Sequence, residues 1–572
     1  MRRLLAAAGA ACLAVACAAL GAGAGPARAQ GAAAVPDFPL AEVRPGLVGY
    51  GLTAGPGGEV ERFDVEVLAV QEDAGPGFPL VLVRASGTFI EAAGGVAAGM
   101  SGSPVYLPRD GRDALLGAIG YVFPEADHDL ALVTPIGAMR DVDVAGAPTS
   151  LAVPGLGTAV PVTTPVLMTG TSPRAAALLD ELFAGAPTRP FAPLGAQGSA
   201  NGGAEPAAPP ELAPGAAVAV QLIGGDLQLA ALGTVTAVED GSLLALGHPL
   251  FGAGRASYGL APADVTAVVP SDVVPFKLAN VRPETVGAVT HDTPAALVGE
   301  VGREPETVDL ALTVTVSGRS ERFAVRLAAG ERLYPLLAAI ATLDAADRVL
   351  RSVGPGKADL AWEVTLRDGT RVRVLEQVTS EEDVGLEAAR LAGEPLAVLA
   401  GNRFADPQVE SVDLSVAFDR DPGSAEVAEV VLEDEKLVAG GHAILHVRLQ
   451  PYRREAVVRT FSVPLPTDMN GEVTLLVRGG DVPREVEGAP EEGGEVDEPR
   501  TFPELLDALR DQVQASELVV ESVDEHGDVR RLLRVPLAWV VVGSQDLHVT
   551  VAPADEDGSG GDGPGQGEEE DR

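Results

Sequence analysis

The sequence predicts a mainly β protein, built from barrels or sandwiches and containing few helices. Short segments such as Phe63–Val67 alternate apolar and acidic residues with the period of two that marks a half-buried strand. Turns rich in Gly and Pro separate these segments, and the chain contains 68 Gly and 45 Pro. Many short strands joined by such turns are typical of closed or stacked sheets.

Two hairpins and two helices can be placed along the chain. Each hairpin turns at an Asp-Gly pair, which favours the positive φ angles of a tight turn. In the first helix the apolar residues recur at helical spacing, and the second is indicated by an N-cap residue and an acidic residue, Glu504, in its first turn. The hairpins are expected at 105–122 and 233–246, and the helices at 332–353 and, after the N-cap residue Thr501, at 502–514.

Clean alternation over Ser411–Arg478 predicts a β-sandwich of the immunoglobulin-like type. Breaks in composition surround it. Residues 185–215 are dense in Gly, Ala and Pro, which predicts a flexible linker. Residues 484–500 form an acidic linker, and the tail after Asp555 is acidic and Gly-rich, which predicts disorder.

The N-terminus predicts export. Arg2 and Arg3 precede the apolar run Leu4–Leu20, and Ala27-Arg28-Ala29 is a small-x-small cleavage site before Gln30. A lipidated Cys17 is the alternative to this free secreted form. Both cysteines lie in the signal peptide, so the mature chain would contain no disulfide. No later run approaches the ~20 apolar residues of a membrane span, so no span is expected after cleavage.

The net charge of −41 argues against a nucleic-acid partner, because phosphate contacts need clustered Lys and Arg. Binding to an anionic membrane surface is disfavoured for the same reason. The expected location is the periplasm, the cell envelope or the exterior, where an acidic surface keeps the protein soluble.

The segment Gly99-Met100-Ser101-Gly102-Ser103-Pro104 predicts a nucleophilic serine, Ser101. A nucleophilic Ser stands on a tight turn whose backbone N–H groups, here those of Gly99 and Ser101, form an oxyanion hole. The flanking Gly residues allow such a turn, because they have no Cβ to block a positive φ or the approach of substrate. The alternative is an ordinary Gly-rich β-turn.

His248 ends the second predicted hairpin and is the candidate general base. The pKa of His lies near neutrality, so the ring can take the proton of Ser and return it to the leaving group. The alternative is a structural His beside Pro249. A third residue should orient the ring. Asp292, which follows His248 in the same half, is the first candidate for it, and Asp127 and Asp129 are its rivals.

No cofactor or metal is expected. His442 and His446 share one face of a strand, but no third ligand follows in the sequence, so surface or structural roles are favoured. The acidic runs contain no calcium-loop pattern, which indicates solvated loops.

The chain resembles the sporulation stage IV protein B (SpoIVB) peptidase family, whose members are chymotrypsin-like serine peptidases. Four stretches carry the resemblance: Arg62–Val67, the Gly94–Val105 segment around Ser101, Leu244–His248 and Thr285–Thr290. The resemblance covers roughly 43–139 and 216–302. It implies a double β-barrel, with the nucleophile at Ser101 and the base at His248.

Two departures from the family pattern are visible. In the family the His precedes the Ser, so the halves of this chain are expected to be permuted. The family's aspartate corresponds here to Val83–Gly87, which contains no acid.

The predicted units are a signal peptide (1–29), a Ser-bearing peptidase half (38–184), a flexible linker (185–215), a His-bearing half (216–330), a helix with strands (331–410), an immunoglobulin-like sandwich (411–483), an acidic linker (484–500), a small α/β segment (501–553) and a disordered tail (554–572).

The function predicted is that of an exported serine endopeptidase acting on a protein or peptide substrate. One alternative is a peptidase-fold scaffold or binding protein of the cell envelope that has lost the chemistry. Another is a self-processing protein that cuts its own linker at 185–215.

Overall fold

The computed structural model describes residues 35–72, 77–143, 151–153, 157–169, 172–182, 193–196, 211–330, 333–434, 436–480, 482 and 499–554. The expected signal peptide, most of both linkers and the acidic tail lie outside these residues. The described chain is mainly β, as the sequence predicts.

The N-terminal region forms a closed antiparallel barrel. Its elements are β1 (Val48–Ala54), β2 (Val60–Gln71), β3 (Leu80–Ser86), α1 (Thr88–Ala93), β4 (Pro104–Arg109), β5 (Arg112–Val122), β6 (Leu130–Pro135) and α2 (Ile136–Arg140). The strands pair in the ring β1-β2-β3-β6-β5-β4, and β4 returns to β1. Phe63, Val65 and Val67 point into its core, as their alternation predicts. The short strands β7 (Leu151–Val153) and β8 (Gly157–Pro161) continue the sheet from β5.

A second closed antiparallel barrel follows. Its elements are β9 (Val166–Thr169), α3 (Pro173–Leu182), β10 (Pro193–Ala196), β11 (Ala217–Gly225), β12 (Gln228–Glu239), β13 (Ser242–Ala245), β14 (Gly254–Val269), β15 (Phe276–Val281), β16 (Gly287–Asp292) and β17 (Leu297–Val301). The ring runs β11-β12-β13-β17-β16-β14 and closes on β11. Strands β9 and β10 extend it from β12, so the chain enters the second unit near residue 166, earlier than the expected boundary at 184.

The second sheet runs on into a layer covered by helices. The added elements are β18 (Thr307–Val316), β19 (Arg319–Ala328), α4 (Tyr334–Leu350), β20 (Gly356–Leu366), β21 (Arg371–Ser380), α5 (Val384–Ala400) and β22 (Val409–Asp419). Strand β19 pairs with β11, and β22 lies parallel to β18. The expected sandwich boundary at residue 411 is therefore wrong, because β22 belongs to this sheet.

The C-terminal region stacks two sheets on one apolar core. Its elements are β23 (Ser424–Leu432), β24 (Leu437–Val438), β25 (His442–Pro451), β26 (Val457–Pro464), β27 (Gly471–Gly479), α6 (Phe502–Arg510), β28 (Glu517–Asp524), β29 (Val529–Pro536), β30 (Val540–Val542) and β31 (Ser544–Ala552). Strands β28–β31 complete both sheets, so residues 501–553 do not form a separate α/β segment. Helix α6 instead packs on the preceding helix-covered sheet through Leu506 and Leu509.

Both predicted hairpins are confirmed as β4–β5 and β12–β13, with positive φ at Asp110 and Asp240 of their turns. Both predicted helices are confirmed as α4 and α6, and the side chain of Thr501 caps α6. Helix α5 was not predicted. In the described part of the chain, no helix has the length and hydropathy needed to cross a bilayer.

Candidate active site

Ser101 lies on the turn between α1 and β4, at the junction of the two barrels. Gly99 and Gly102 flank it with φ of 89° and 90°, which favours glycine at both positions. A Cβ on Gly102 would lie 2.0 Å from the carbonyl oxygen of Thr234, so the approach of the second barrel itself requires glycine there. The side chain of Ser101 is fully buried, and its Oγ makes no hydrogen bond.

His248 lies on the turn that joins β13 to β14. Leu246 and Gly247 enter this turn with φ of 67° and 69°, an uncommon conformation for a leucine. The Nδ1 of His248 is 2.7 Å from the carbonyl oxygen of Pro249. Because a carbonyl only accepts, Nδ1 carries the proton and Nε2 carries the free electron pair. That is the tautomer a general base requires.

The environment of the His248 ring holds it neutral. Burial lowers the pKa of His248 to about 4, against the opposing influence of the carbonyls of Pro249 and Val162. Its Nε2 is buried without a hydrogen-bond partner, so neither Pro249 nor Ser101 bonds to it. The rings of Tyr121 and His248 lie in an edge-to-face arrangement, with 6.3 Å between their centroids. Ser101 and His248 are therefore both enclosed, and they are not hydrogen-bonded to each other.

Direct hydrogen bonds tie the Ser turn to the second barrel. The N–H of Thr234 donates to the carbonyl of Ser101 over 2.8 Å, and its Oγ1 donates to the carbonyl of Gly99 over 2.9 Å. The hydroxyl of Thr236 donates to the carbonyl of Gly102 over 2.8 Å. Because Thr234 and Thr236 both lie on β12, these hydrogen bonds fix the Ser turn to a strand of the second barrel.

The His turn is tied to the first barrel in the same way. The hydroxyl of Thr134 on β6 donates to the carbonyl of Gly247 over 2.6 Å. A Cβ on Gly120 would lie 2.3 Å from that same carbonyl oxygen. Each barrel therefore holds the turn that projects from the other, and both turns lie at this junction.

Asp292 does not orient His248, contrary to expectation. Its Oδ1 accepts from the N–H of Leu250 over 2.8 Å, and its Oδ2 accepts from the N–H of Phe251 over 2.7 Å and of Gly252 over 3.0 Å. The carboxylate thus fixes the loop after His248 rather than the ring. Burial raises the pKa of Asp292 to about 6, although these backbone hydrogen bonds favour the ionised form.

Neither rival carboxylate takes its place. Asp129 pairs with Arg84 over 3.1 Å near the surface, and Asp127 is exposed. The position on Nδ1 that an acid would occupy belongs to the Pro249 carbonyl. The sequence does not reveal this arrangement, because the partner is a main-chain carbonyl, which every residue has.

One of the two N–H groups expected to form the oxyanion hole already has a hydrogen-bond partner. The N–H of Gly99 donates to the carbonyl of Thr163 over 3.0 Å, so it is not free. The N–H of Ser101 makes no hydrogen bond with any described residue. Of the two predicted donors, only Ser101 is therefore available in this closed arrangement.

A buried lysine beside the turn was not predicted. The Nζ of Lys277 donates to Oγ1 of Thr53 over 2.7 Å, and the same oxygen accepts from Oγ of Ser103 over 2.9 Å. Burial lowers the pKa of Lys277 to about 7, and no described carboxylate pairs with it. Lys277 occupies a strand among apolar residues, where the sequence alone indicates only a solvent-facing lysine.

No grouping of three metal ligands occurs among the described residues. His446 bonds Thr460 over 3.0 Å and Glu433 over 3.2 Å on the outside of the C-terminal sandwich, and His442 is exposed. Comparison of the chain with protein-family models, curated proteins and solved structures found no match.

Proposed function

We propose that the chain is an exported serine endopeptidase of the SpoIVB type, with Ser101 as nucleophile and His248 as base. One observation carries the proposal: a serine Oγ and a histidine Nε2, both fully buried and both without partners, lie on turns that two barrels hold together. Buried polar groups without partners are costly and concentrate at sites that later bind something.

In the proposed reaction, Ser101 Oγ attacks the carbonyl carbon of a peptide bond while Nε2 of His248 takes its proton. The carbonyl oxygen gains the electron pair of the C=O bond, and the N–H of Ser101 donates to it. The tetrahedral adduct then expels the amine, which receives the proton from His248. Water hydrolyses the acyl-enzyme by the same steps in reverse.

The Pro249 carbonyl fills the orienting role that a carboxylate has in a Ser-His-Asp site. It fixes the same tautomer of His248. Because it is neutral, it stabilises the imidazolium less than a carboxylate does, and we expect slow turnover.

The neutral carbonyl in place of a carboxylate favours a second candidate function, that of a scaffold that kept the peptidase fold and lost the chemistry. The low pKa of the enclosed His248 also fits this reading, since a base that is hard to protonate transfers protons less well at neutral pH. The two functions differ in whether Ser101 can form a covalent bond.

A fluorophosphonate probe with the adduct mapped by tandem mass spectrometry separates them. The wild type should carry the adduct on Ser101, Ser101→Ala should lose it, and His248→Ala should slow it strongly, because an unassisted hydroxyl is a weak nucleophile. Ser103→Ala is the matched control on the same turn and should keep the adduct. A folded wild type without adduct that also leaves a broad peptide library uncut would establish the scaffold.

A protein or peptide substrate follows from this proposal, as does export through a cleaved signal peptide. Self-processing within 185–215 belongs to the same proposal, and it predicts a cut that Ser101→Ala abolishes.

A further inference from the structure

The segment Val162–Pro165, which we call the strap, crosses the candidate site between β8 and β9. It continues the antiparallel pairing of β8 with the end of β5, where Pro161 lies opposite Tyr121. The N–H of Val162 donates to the carbonyl of Gly120 over 2.9 Å, and the carbonyl of Pro165 accepts from the N–H of Leu232 over 2.8 Å. The strap is thus an extended segment bound by main-chain hydrogen bonds at both ends.

The middle of the strap lies against the catalytic groups. The carbonyl of Thr163 accepts from the N–H of Gly99 over 3.0 Å. This N–H lies two residues before Ser101, where the sequence predicts a donor for the oxygen of an attacked carbonyl. The preceding carbonyl, that of Val162, is close enough to His248 to favour its protonated form. Two successive carbonyls of one extended segment therefore face the two sides of the site.

A peptide that adds a strand to a sheet binds through this kind of main-chain pairing, with backbone groups giving affinity. Resting on the proposed function, we propose that the strap is an intramolecular occupant of the substrate position and holds the peptidase closed. It uses the carbonyl of Gly120 and the N–H of Gly99, which an incoming extended peptide needs.

The strap contains one buried polar atom that has no hydrogen-bond partner. The side chains of Val162 and Thr164 are buried, at 2% and 1% exposure. The Oγ1 of Thr164, however, is buried without a hydrogen-bond partner, which costs free energy as long as the strap stays in place. Removing that hydroxyl should tighten the strap, whereas removing both side chains should loosen it.

These two changes give opposite arms of one experiment in the full-length protein. The strap-loosened variant Val162→Gly/Thr164→Gly should label Ser101 with the fluorophosphonate at least about tenfold faster, because it loses the burial of a valine and gains backbone freedom. Thr164→Val, which keeps the shape and removes the hydroxyl, should label more slowly than the wild type. Val458→Gly/Thr460→Gly, on an exposed strand of the C-terminal sandwich, is the matched control and should leave the rate unchanged.

Amide hydrogen exchange reads the strap without relying on chemistry. The N–H of Gly99 should lose protection in the strap-loosened variant and keep it in the control. Unchanged labelling together with unchanged Gly99 protection in the folded, strap-loosened variant would overturn the proposal. Faster exchange with no adduct on Ser101 in any variant would instead remove the proposed function, and the strap's role as an inhibitor with it.

Discussion

The main chain of Thr234 donates to the carbonyl of Ser101 over 2.8 Å, and this bond joins the candidate nucleophile to the opposite barrel. The side chain of the same threonine donates to the carbonyl of Gly99. One residue of β12 therefore binds the Ser turn at two points. The position of Ser101 depends on the second barrel as much as on its own.

Thr234→Val should destabilise the protein by about 1–3 kcal/mol, because it leaves the buried carbonyl of Gly99 without that donor while keeping the side-chain shape. Urea unfolding measures the change. The control is Thr266→Val, whose hydroxyl makes an exposed hydrogen bond to Leu278, and it should change stability by no more than about 0.5 kcal/mol. Equal effects of the two substitutions would show that the hydrogen bond from Thr234 to Gly99 stabilises the protein no more than an exposed one does.

His248 and Asp292 should give stability opposite pH dependences over one range. Burial lowers the pKa of His248 from 6.5 to about 4, so the unfolded chain binds its proton first and the protein loses stability as the pH falls from 6.5. Burial raises the pKa of Asp292 from 3.8 to about 6, so the native state keeps its proton longer and stability falls as the pH rises from about 4 to 6. In the wild type the two effects largely cancel.

Single substitutions should separate the pair. Relative to wild type, Asp292→Asn should gain stability as the pH rises from 4 to 6, and His248→Gln should lose it, each by about 1 kcal/mol per pH unit. Urea midpoints at half-unit steps of pH measure both slopes. Slopes of the same sign in the two variants would show that one of the groups is not buried as described.

The sequence was enough to predict the hairpins and the candidate turns, but not the contacts between residues far apart in the chain. Alternation and Asp-Gly turns were enough to place both hairpins, and the Gly-rich turn and the hairpin end singled out Ser101 and His248. Those signals are local, because side-chain period and positive φ are properties of neighbouring residues.

The partners of those residues lie far away along the chain. Thr234 and Lys277 reach the Ser turn only because the two rings close and pack, and no spacing in the sequence marks that contact. Asp292 was predicted from its order after His248, which specifies a barrel but not a hydrogen bond. The strap was missed because Val162–Pro165 has the composition of an ordinary strand.

The proposed export predicts a defined N-terminus. The exported protein should begin near Gln30, because Ala27 and Ala29 form the small-residue cleavage site after an apolar run. N-terminal sequencing of protein recovered outside the cytoplasm tests it. Recovery of an intact Met1 would contradict cleavage, and a lipid-modified Cys17 would establish an anchored form instead.

Lys277 gives the sharpest test of the buried junction. Burial lowers the pKa of Lys277 from 10.5 to about 7, and no carboxylate among the described residues lies beside it. The buried lysine therefore costs stability at every pH below 10.5, and the cost grows until about pH 7 and stays constant below it. Lys277→Met should therefore stabilise the protein at pH 7 by about 2–4 kcal/mol, after allowance for the lost bond to Thr53. This advantage should shrink as the pH rises toward 10.5, because the wild type then regains the stability that it had lost.

Lys357→Met, at a partly exposed lysine paired with Asp359, is the control and should show neither effect. A destabilised Lys277→Met with a pH-independent difference from wild type would mean that the ammonium is charged and well solvated, and would contradict the burial on which the prediction rests.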